Sequence, residues 1–158
     1  LIPRKKTFYK GSFMKKNIFL VDDDETDVIA IKRALSRRVE EGKFTLDIFR
    51  DGEAVTERLE EIDVSTVEDD NKIPDIMLLD LNMPKMGGFE VLDRIRNNHK
   101  LKRMVIFILS TSNNPEEIKR AYCKNVAGYL VKDEMGNRYE KLTELLETYS
   151  ETVALPPN

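Results

Sequence analysis

Five short apolar runs divide the chain, and after each one the apolar residues change from strand-like to helical spacing. The runs are residues 17–21, 44–49, 76–79, 104–109 and 126–131. Ile76-Met77-Leu78-Leu79 is too short for a helix and is bracketed by Pro74 and by Pro84, Gly87 and Gly88. It therefore reads as a strand buried on both faces, the kind that parallel sheets contain. Residues 44–49 alternate apolar and polar, which predicts a sheet-edge strand with one face less deeply buried.

The helices follow in order. Val28, Ile31, Leu35 and Val39 predict one from near Thr26 to Gly42, and Ala54, Val55, Leu59 and Ile62 predict a second, capped by Asp51. A third covers residues 88–95 and frays through 97–99. Asn114-Pro115 starts a fourth, with Ile118, Ala121 and Tyr122 inward and Cys123 expected as a small packed thiol. The fifth is expected from Asn137, where Asn137-x-x-Glu140 resembles a capping box, and should bury Leu142, Leu145, Leu146 and Tyr149. Five β-then-α units with right-handed crossovers give an open parallel α/β sheet with helices on both faces.

Length and charge narrow the class. A chain of 158 residues, 41% hydrophobic and 35% charged, supports one globular core and contains no apolar run near bilayer length. Its single cysteine excludes an internal disulfide framework and fits a cytoplasmic, reducing location. Residues 1–13 carry Arg4, Lys5, Lys6 and Lys10 with no acid, and are expected to be a disordered basic leader or an expression remnant before a start at Met14. Removing those four charges from the net −3 leaves −7 on the rest, a poor match for nucleic acid. No membrane partner is expected either. Residues 14–150 then form the domain and 151–158 a short tail ending in Pro156-Pro157. Residues 63–73 form a long acidic connection without the ligand spacing of a calcium loop. His99, the only histidine, sits among polar neighbours and reads as a surface residue.

The chemistry gathers at the strand ends. In an open parallel sheet these ends share one edge, where ligands bind. Asp22 and Asp23 follow the first run, Asp80 the third, Ser110 the fourth and Lys132 the fifth. Carboxylates so placed repel one another unless a cation neutralises them, and an all-oxygen donor set suits Mg²⁺ better than zinc. Asp80 is then a candidate nucleophile toward a phosphoryl group, with Lys132 and Ser110 meeting its remaining oxygens.

Leu20-Val21-Asp22-Asp23-Asp24, the segment Leu79-Asp80-Leu81-Asn82-Met83-Pro84-Lys85-Met86-Gly87-Gly88, Leu109-Ser110-Thr111 and Gly128-Tyr129-Leu130-Val131-Lys132 together resemble the signature of response-regulator receiver domains, over about residues 15–150. The resemblance implies a flavodoxin-like fold with strand order 2-1-3-4-5. It implies phosphorylation of Asp80 by a histidine kinase, and Mg²⁺ on Asp22, Asp23, Asp80 and the Asn82 carbonyl. It also implies a switch through Ser110 and Tyr129, in a protein that catalyses only its own phosphorylation and dephosphorylation. The long connection before Pro74, the Asn-His-Lys-Leu-Lys segment and Ser-Thr-Ser further resemble stand-alone regulators paired with cyanobacterial phytochromes, which have no output domain and act on a downstream protein target.

Two positions depart from the family pattern. Ser110 stands where threonine is common, and Asp133 follows Lys132 where a cis proline is usual. A cis bond before a non-proline residue costs roughly 2.5–4 kcal/mol, so the loop is either trans with Lys132 redirected, or strained. Lys132 is nevertheless expected within ion-pair reach of Asp80. A homodimer is expected through helix 4, strand 5 and helix 5, with Lys119, Arg120 and Lys124 meeting Glu140, Glu144 and Glu147 of a second copy. Two rival readings are a haloacid-dehalogenase-like phosphotransferase and a receiver-like interaction module that is never phosphorylated. The first wants a second carboxylate two residues after Asp80, and Asn82 stands there.

Overall fold

The computed structural model describes residues 14–64 and 73–157. The basic head and most of the acidic connection lie outside the described residues. The elements alternate as β1 (Lys16–Val21), α1 (Glu25–Glu40), β2 (Phe44–Phe49), α2 (Gly52–Val64), β3 (Ile76–Leu79), α3 (Gly88–Asn97), β4 (Val105–Ser110), α4 (Pro115–Tyr122), β5 (Gly128–Val131) and α5 (Glu140–Thr152), with a short 3₁₀ turn over Lys132–Glu134. The five strands form one parallel sheet in the order β2-β1-β3-β4-β5. This is the flavodoxin-like, doubly wound arrangement.

Strand alternation divides the core into two layers. Ile18, Leu20, Ile76 and Leu78 face α1 and α5, where they meet Val28, Ile31, Leu35, Leu142 and Leu146. Their neighbours Phe19, Val21, Met77 and Leu79 face the opposite side, against Val55 and Leu59 of α2 and Val91, Leu92 and Ile95 of α3. Successive strand residues point to opposite faces, so β3 can only be apolar throughout if both faces are covered. All four of its residues are fully buried. β2, at the edge, is buried only at Phe44 and is half-buried or exposed beyond it.

The helix ends follow local chemistry. Asp24 caps α1, its carboxylate accepting from the N–H groups of Thr26 and Asp27. Asp51 accepts from Ala54 N–H at the start of α2, and Asn114 caps α4 ahead of Pro115. Arg96 on α3 ties two connections together, donating to the carbonyls of Lys102, Met104, Lys124 and Asn125. His99 is exposed, as its polar surroundings predict.

Several expectations need correction. Tyr122 is 52% exposed and Cys123 is exposed as well, because α4 has only two turns and turns Ala121 alone fully inward. Tyr122, one position on, lies about 100° around the helix from that contact. Val39 is 39% exposed at the outer end of α1. β5 is shorter than residues 126–131 and starts at Gly128. α5 begins at Glu140, not Asn137: Tyr139 takes a left-handed φ of 55° there, and the Glu140 carboxylate accepts from Arg138 N–H. The helix runs to Thr152, two residues past the expected boundary, before the chain extends toward Pro156 and Pro157. Those prolines share a cleft with Ile73, Pro74 and Val105 at the opposite end of the sheet from the strand carboxylates.

Candidate functional site

Pairing register delivers the acidic residues. Val21 pairs with Leu79, so the next residues along, Asp22 and Asp80, emerge side by side from the sheet. Backbone bonds hold both just past their strands: Asp22 N–H donates to Phe49 O at 3.0 Å and Asp80 N–H to Val21 O at 2.9 Å. The three consecutive aspartates at the end of β1 do different things. Asp22 is buried and accepts from Asp24 N–H at 2.9 Å, Asp23 is exposed, and Asp24 caps α1. One carboxylate oxygen each from Asp22, Asp23 and Asp80 lies within 4.8 Å of the others.

The Asp80 loop is shaped by a glycine. A β-carbon on Gly88 would overlap the Asp80 carbonyl oxygen and stand 2.8 Å from the Leu81 Cα. The chain therefore folds back on itself here, closed by a bond from Gly88 N–H to Leu81 O at 3.0 Å. Asn82, exposed, turns its N–H toward Asp80 Oδ1 at 3.4 Å.

Lys132 enters from the end of β5 and is 7% exposed. Its Nζ lies 2.8 Å from Asp22 Oδ2, 2.7 Å from Asp27 Oδ2 and 3.9 Å from Asp80 Oδ2. The expected reach to Asp80 is met, although no peptide among the described residues is cis and Asp133 follows where a proline is usual. The 3₁₀ turn at Lys132–Glu134 carries the chain away while the lysine side chain stays inside.

Ser110 is fully buried, one strand from Asp80, and its Oγ accepts from Ser112 N–H at 3.2 Å. The Tyr129 hydroxyl donates to the Ser112 carbonyl at 3.0 Å, and its ring is half-buried against the core. Both residues thus hold the same peptide segment. The sequence reading did not anticipate Ser112 as the joint between them.

Burial sets the electrostatics. Loss of water raises Asp80 to about 6; Lys132 opposes that rise and the charge of Asp22 adds to it. Asp22 is raised for the same reason, burial, against hydrogen bonds from Lys132 and Asp24 N–H. For Lys132, burial alone would lower the ammonium. Hydrogen bonds to Asp22 and Asp27, with the charges of Asp22 and Asp80, more than reverse this and push it to about 12. Lys132 is a single positive charge set among the carboxylates of Asp22, Asp27 and Asp80, and it does not offset the burial of Asp22 and Asp80. An all-oxygen cluster in that condition fits a hard divalent cation, with Asp22, Asp23 and Asp80 as its side-chain ligands.

The family model for the response regulator receiver domain matches residues 18–146. This chain belongs to that family. Among its relatives, Rcp1 of Synechocystis is 33% identical over 142 residues, spanning 89% of this chain and 93% of Rcp1. A probable methanogenesis regulatory protein, FilR2 of Methanothrix harundinacea, is 31% identical over 134 residues, spanning 84% of this chain and 81% of its own. The solved Mn²⁺-bound form of Rcp1 superposes with a TM-score of 0.74 at 33% identity, covering 89% of this chain and 99% of that one. The phosphorylated cyanobacterial phytochrome response regulator RcpA gives 0.73 at 31% identity, covering 90% and 99%. As a response regulator receiver, the protein belongs to two-component signalling, a class that passes signals rather than turning over substrates. No helix among the described residues is long and apolar enough to cross a membrane.

Two further residues of this receiver's site escaped the sequence reading. Asp27, in the first turn of α1, contacts Lys132 through Oδ2 and accepts from the Tyr139 hydroxyl through Oδ1 at 2.8 Å. Tyr139 is 7% exposed, and burial followed by its bond to Asp27 pushes its hydroxyl up, so that it stays a donor. Asp27 lies in a run of polar residues that reads as helix entry, and Tyr139 falls inside the expected capping box, where the spacing marks a helix start and no core position. Neither carries a periodic signal.

Proposed function

We propose that this receiver accepts a phosphoryl group on Asp80 from a histidine kinase, with Mg²⁺ required at Asp22, Asp23, Asp80 and the Asn82 carbonyl. The observation that carries the reading is the convergence of three carboxylates within 4.8 Å, one of them 3.9 Å from a buried lysine, on the strand-end edge of the sheet. Relatives whose names speak of a Mn²⁺-bound and a phosphorylated state support it. A bound Mg²⁺ would neutralise the carboxylates and the phosphoryl oxygens.

The chain's own groups do the rest. An Asp80 carboxylate oxygen forms the new O–P bond as the P–N bond of a kinase phosphohistidine breaks, and the departing imidazole takes up a proton. Lys132 then turns an ammonium proton to a phosphoryl oxygen. The Ser110 hydroxyl, which accepts from Ser112 N–H, still has its own proton to give, and can turn it toward the added oxygens. Such a turn loosens the Ser112 peptide that Tyr129 holds, and so reaches β5 and α4. The output is then a shift in the population of this face.

Target binding or homodimerisation through α4, β5 and α5 remains part of the proposal, in an altered form. Glu147 is engaged within the chain, 2.6 Å from Arg38 and 2.8 Å from Lys43, and Lys124 pairs with Asp93. Arg120 lies over the Phe89 ring. Glu140 and Glu144 line a groove with Ala34 and Arg38 of α1, so of the charges expected on this face Lys119 remains, beside exposed Tyr122. A phytochrome-type kinase, a separate protein target and a cytoplasmic location complete the reading.

Incubation with acetyl phosphate and Mg²⁺, followed by intact-mass measurement, tests it. One phosphoryl group should be added to the wild type and none to Asp80→Asn or to the EDTA-treated protein. Unchanged labelling of Asp80→Asn would move the acceptor elsewhere, and no labelling of the wild type would favour the interaction module. Multiple turnover of phosphate esters would favour the phosphotransferase.

A further inference from the structure

Lys132 is shared unequally among the carboxylates around it. Asp27 and Asp22 hold its ammonium at 2.7 and 2.8 Å, whereas Asp80 stands at 3.9 Å, beyond hydrogen-bond range. Asp27 is not one of the clustered carboxylates that fit a cation. Both of its oxygens are occupied, one by Lys132 and the other by the Tyr139 hydroxyl. Tyr139 in turn is anchored by burial and by the left-handed turn that starts α5. The result is a brace running from the α5 start, through the first turn of α1, to the end of β5.

Resting on the reading of Asp80 as phosphoacceptor, we propose that Asp27, clamped by Tyr139, is a positioning residue that holds Lys132 withdrawn from Asp80 and thereby slows capture of the phosphoryl group. An ammonium has three protons to give, and two are already committed. Nζ stands 3.9 Å from Asp80 Oδ2, and closing that gap to charge-assisted range, an advance of roughly 1 Å, lengthens its contact with Asp27. Asp27 is a competing acceptor, and its strength as a competitor depends on its charge and on how firmly Tyr139 fixes it. Asp27→Asn keeps the shape and removes the charge. Tyr139→Phe keeps the charge and removes only the clamp.

The test measures rates of phosphorylation by acetyl phosphate at saturating Mg²⁺, alongside the ¹⁵N ammonium resonance of Lys132 in the unphosphorylated protein. Asp27→Asn should be labelled about fivefold faster than wild type, as expected for loss of one competing charge-assisted bond, with a smaller rise for Tyr139→Phe. The Lys132 resonance should shift or exchange faster in both variants, which a purely structural role for Asp27 would not require. Equal or slower labelling of Asp27→Asn overturns the proposal. Should that variant not fold, an unaltered rate in Tyr139→Phe overturns it instead. Absence of labelling in the wild type would strike the phosphoacceptor reading alone, and the Lys132 resonance then decides: no change in either variant overturns the brace, and a change supports it.

Discussion

Gly88 packs against the backbone of Asp80 so closely that no other residue fits. A methyl group there would overlap the Asp80 carbonyl oxygen and crowd the Leu81 Cα, and both obstacles are main chain. Backbone cannot rotate out of the way as a side-chain end can. Gly88→Ala should therefore destabilise the fold by about 1–3 kcal/mol and displace Asp80, weakening divalent-metal binding. Urea denaturation and Mn²⁺ titration check the two parts, and a variant as stable and as metal-competent as wild type would contradict the close approach.

Asp80 should cost the metal-free protein stability. Its carboxyl is raised from 3.8 to about 6, so the folded state keeps a proton that the unfolded chain has already lost. Stability from this group then falls as pH rises from about 4 to about 6, and the full cost stands above that window. Asp80→Asn should stabilise the EDTA-treated protein at neutral pH by about 3 kcal/mol, a gain that shrinks toward pH 4. Thermal denaturation at both pH values measures this, and a gain independent of pH would point to packing instead of charge.

The same proton competes with a cation. Metal binding at the carboxylate cluster requires Asp80 as an anion, so affinity should rise with pH through about 6. Between about pH 7 and about pH 5 the Mn²⁺ affinity should fall roughly tenfold from Asp80 alone. Asp22, raised by its own burial, steepens the fall. Electron paramagnetic resonance of free Mn²⁺ reads it directly, and a flat profile would remove Asp80 from the ligand set.

Arg96 should behave as a structural fork. Its guanidinium donates to four carbonyls in the connections before β4 and β5, and burial lowers its pKa, with no carboxylate paired to it among the described residues. Arg96→Ala leaves those carbonyls short of a donor and should cost about 2–3 kcal/mol. Arg96→Lys should recover little, since a compact ammonium cannot span the fork. Denaturant midpoints for the pair test this, and full recovery by lysine would mean that charge alone matters.

Much of this receiver is written locally in its chain. The apolar run Ile76–Leu79, the alternation at Phe44–Phe49 and the cap at Asn114 are each decided within a few residues, by period and by backbone hydrogen-bonding chemistry. The meeting of Asp22 with Asp80 was also legible, because residues that end parallel strands of one sheet must share an edge. Tertiary structure alone decided the rest. Tyr122 reads as inward by spacing, yet whether a two-turn helix presents it depends on how that helix rolls on the sheet. Glu147 looks available to a partner until α5 packs beside α1 and Arg38 claims it. Lys132, Asp27 and Tyr139 come from the end of β5, the first turn of α1 and the turn before α5, and no periodicity links them. Charge pairing over such sequence separations is set by which elements the folded core brings together, and that is a property of the packing as a whole.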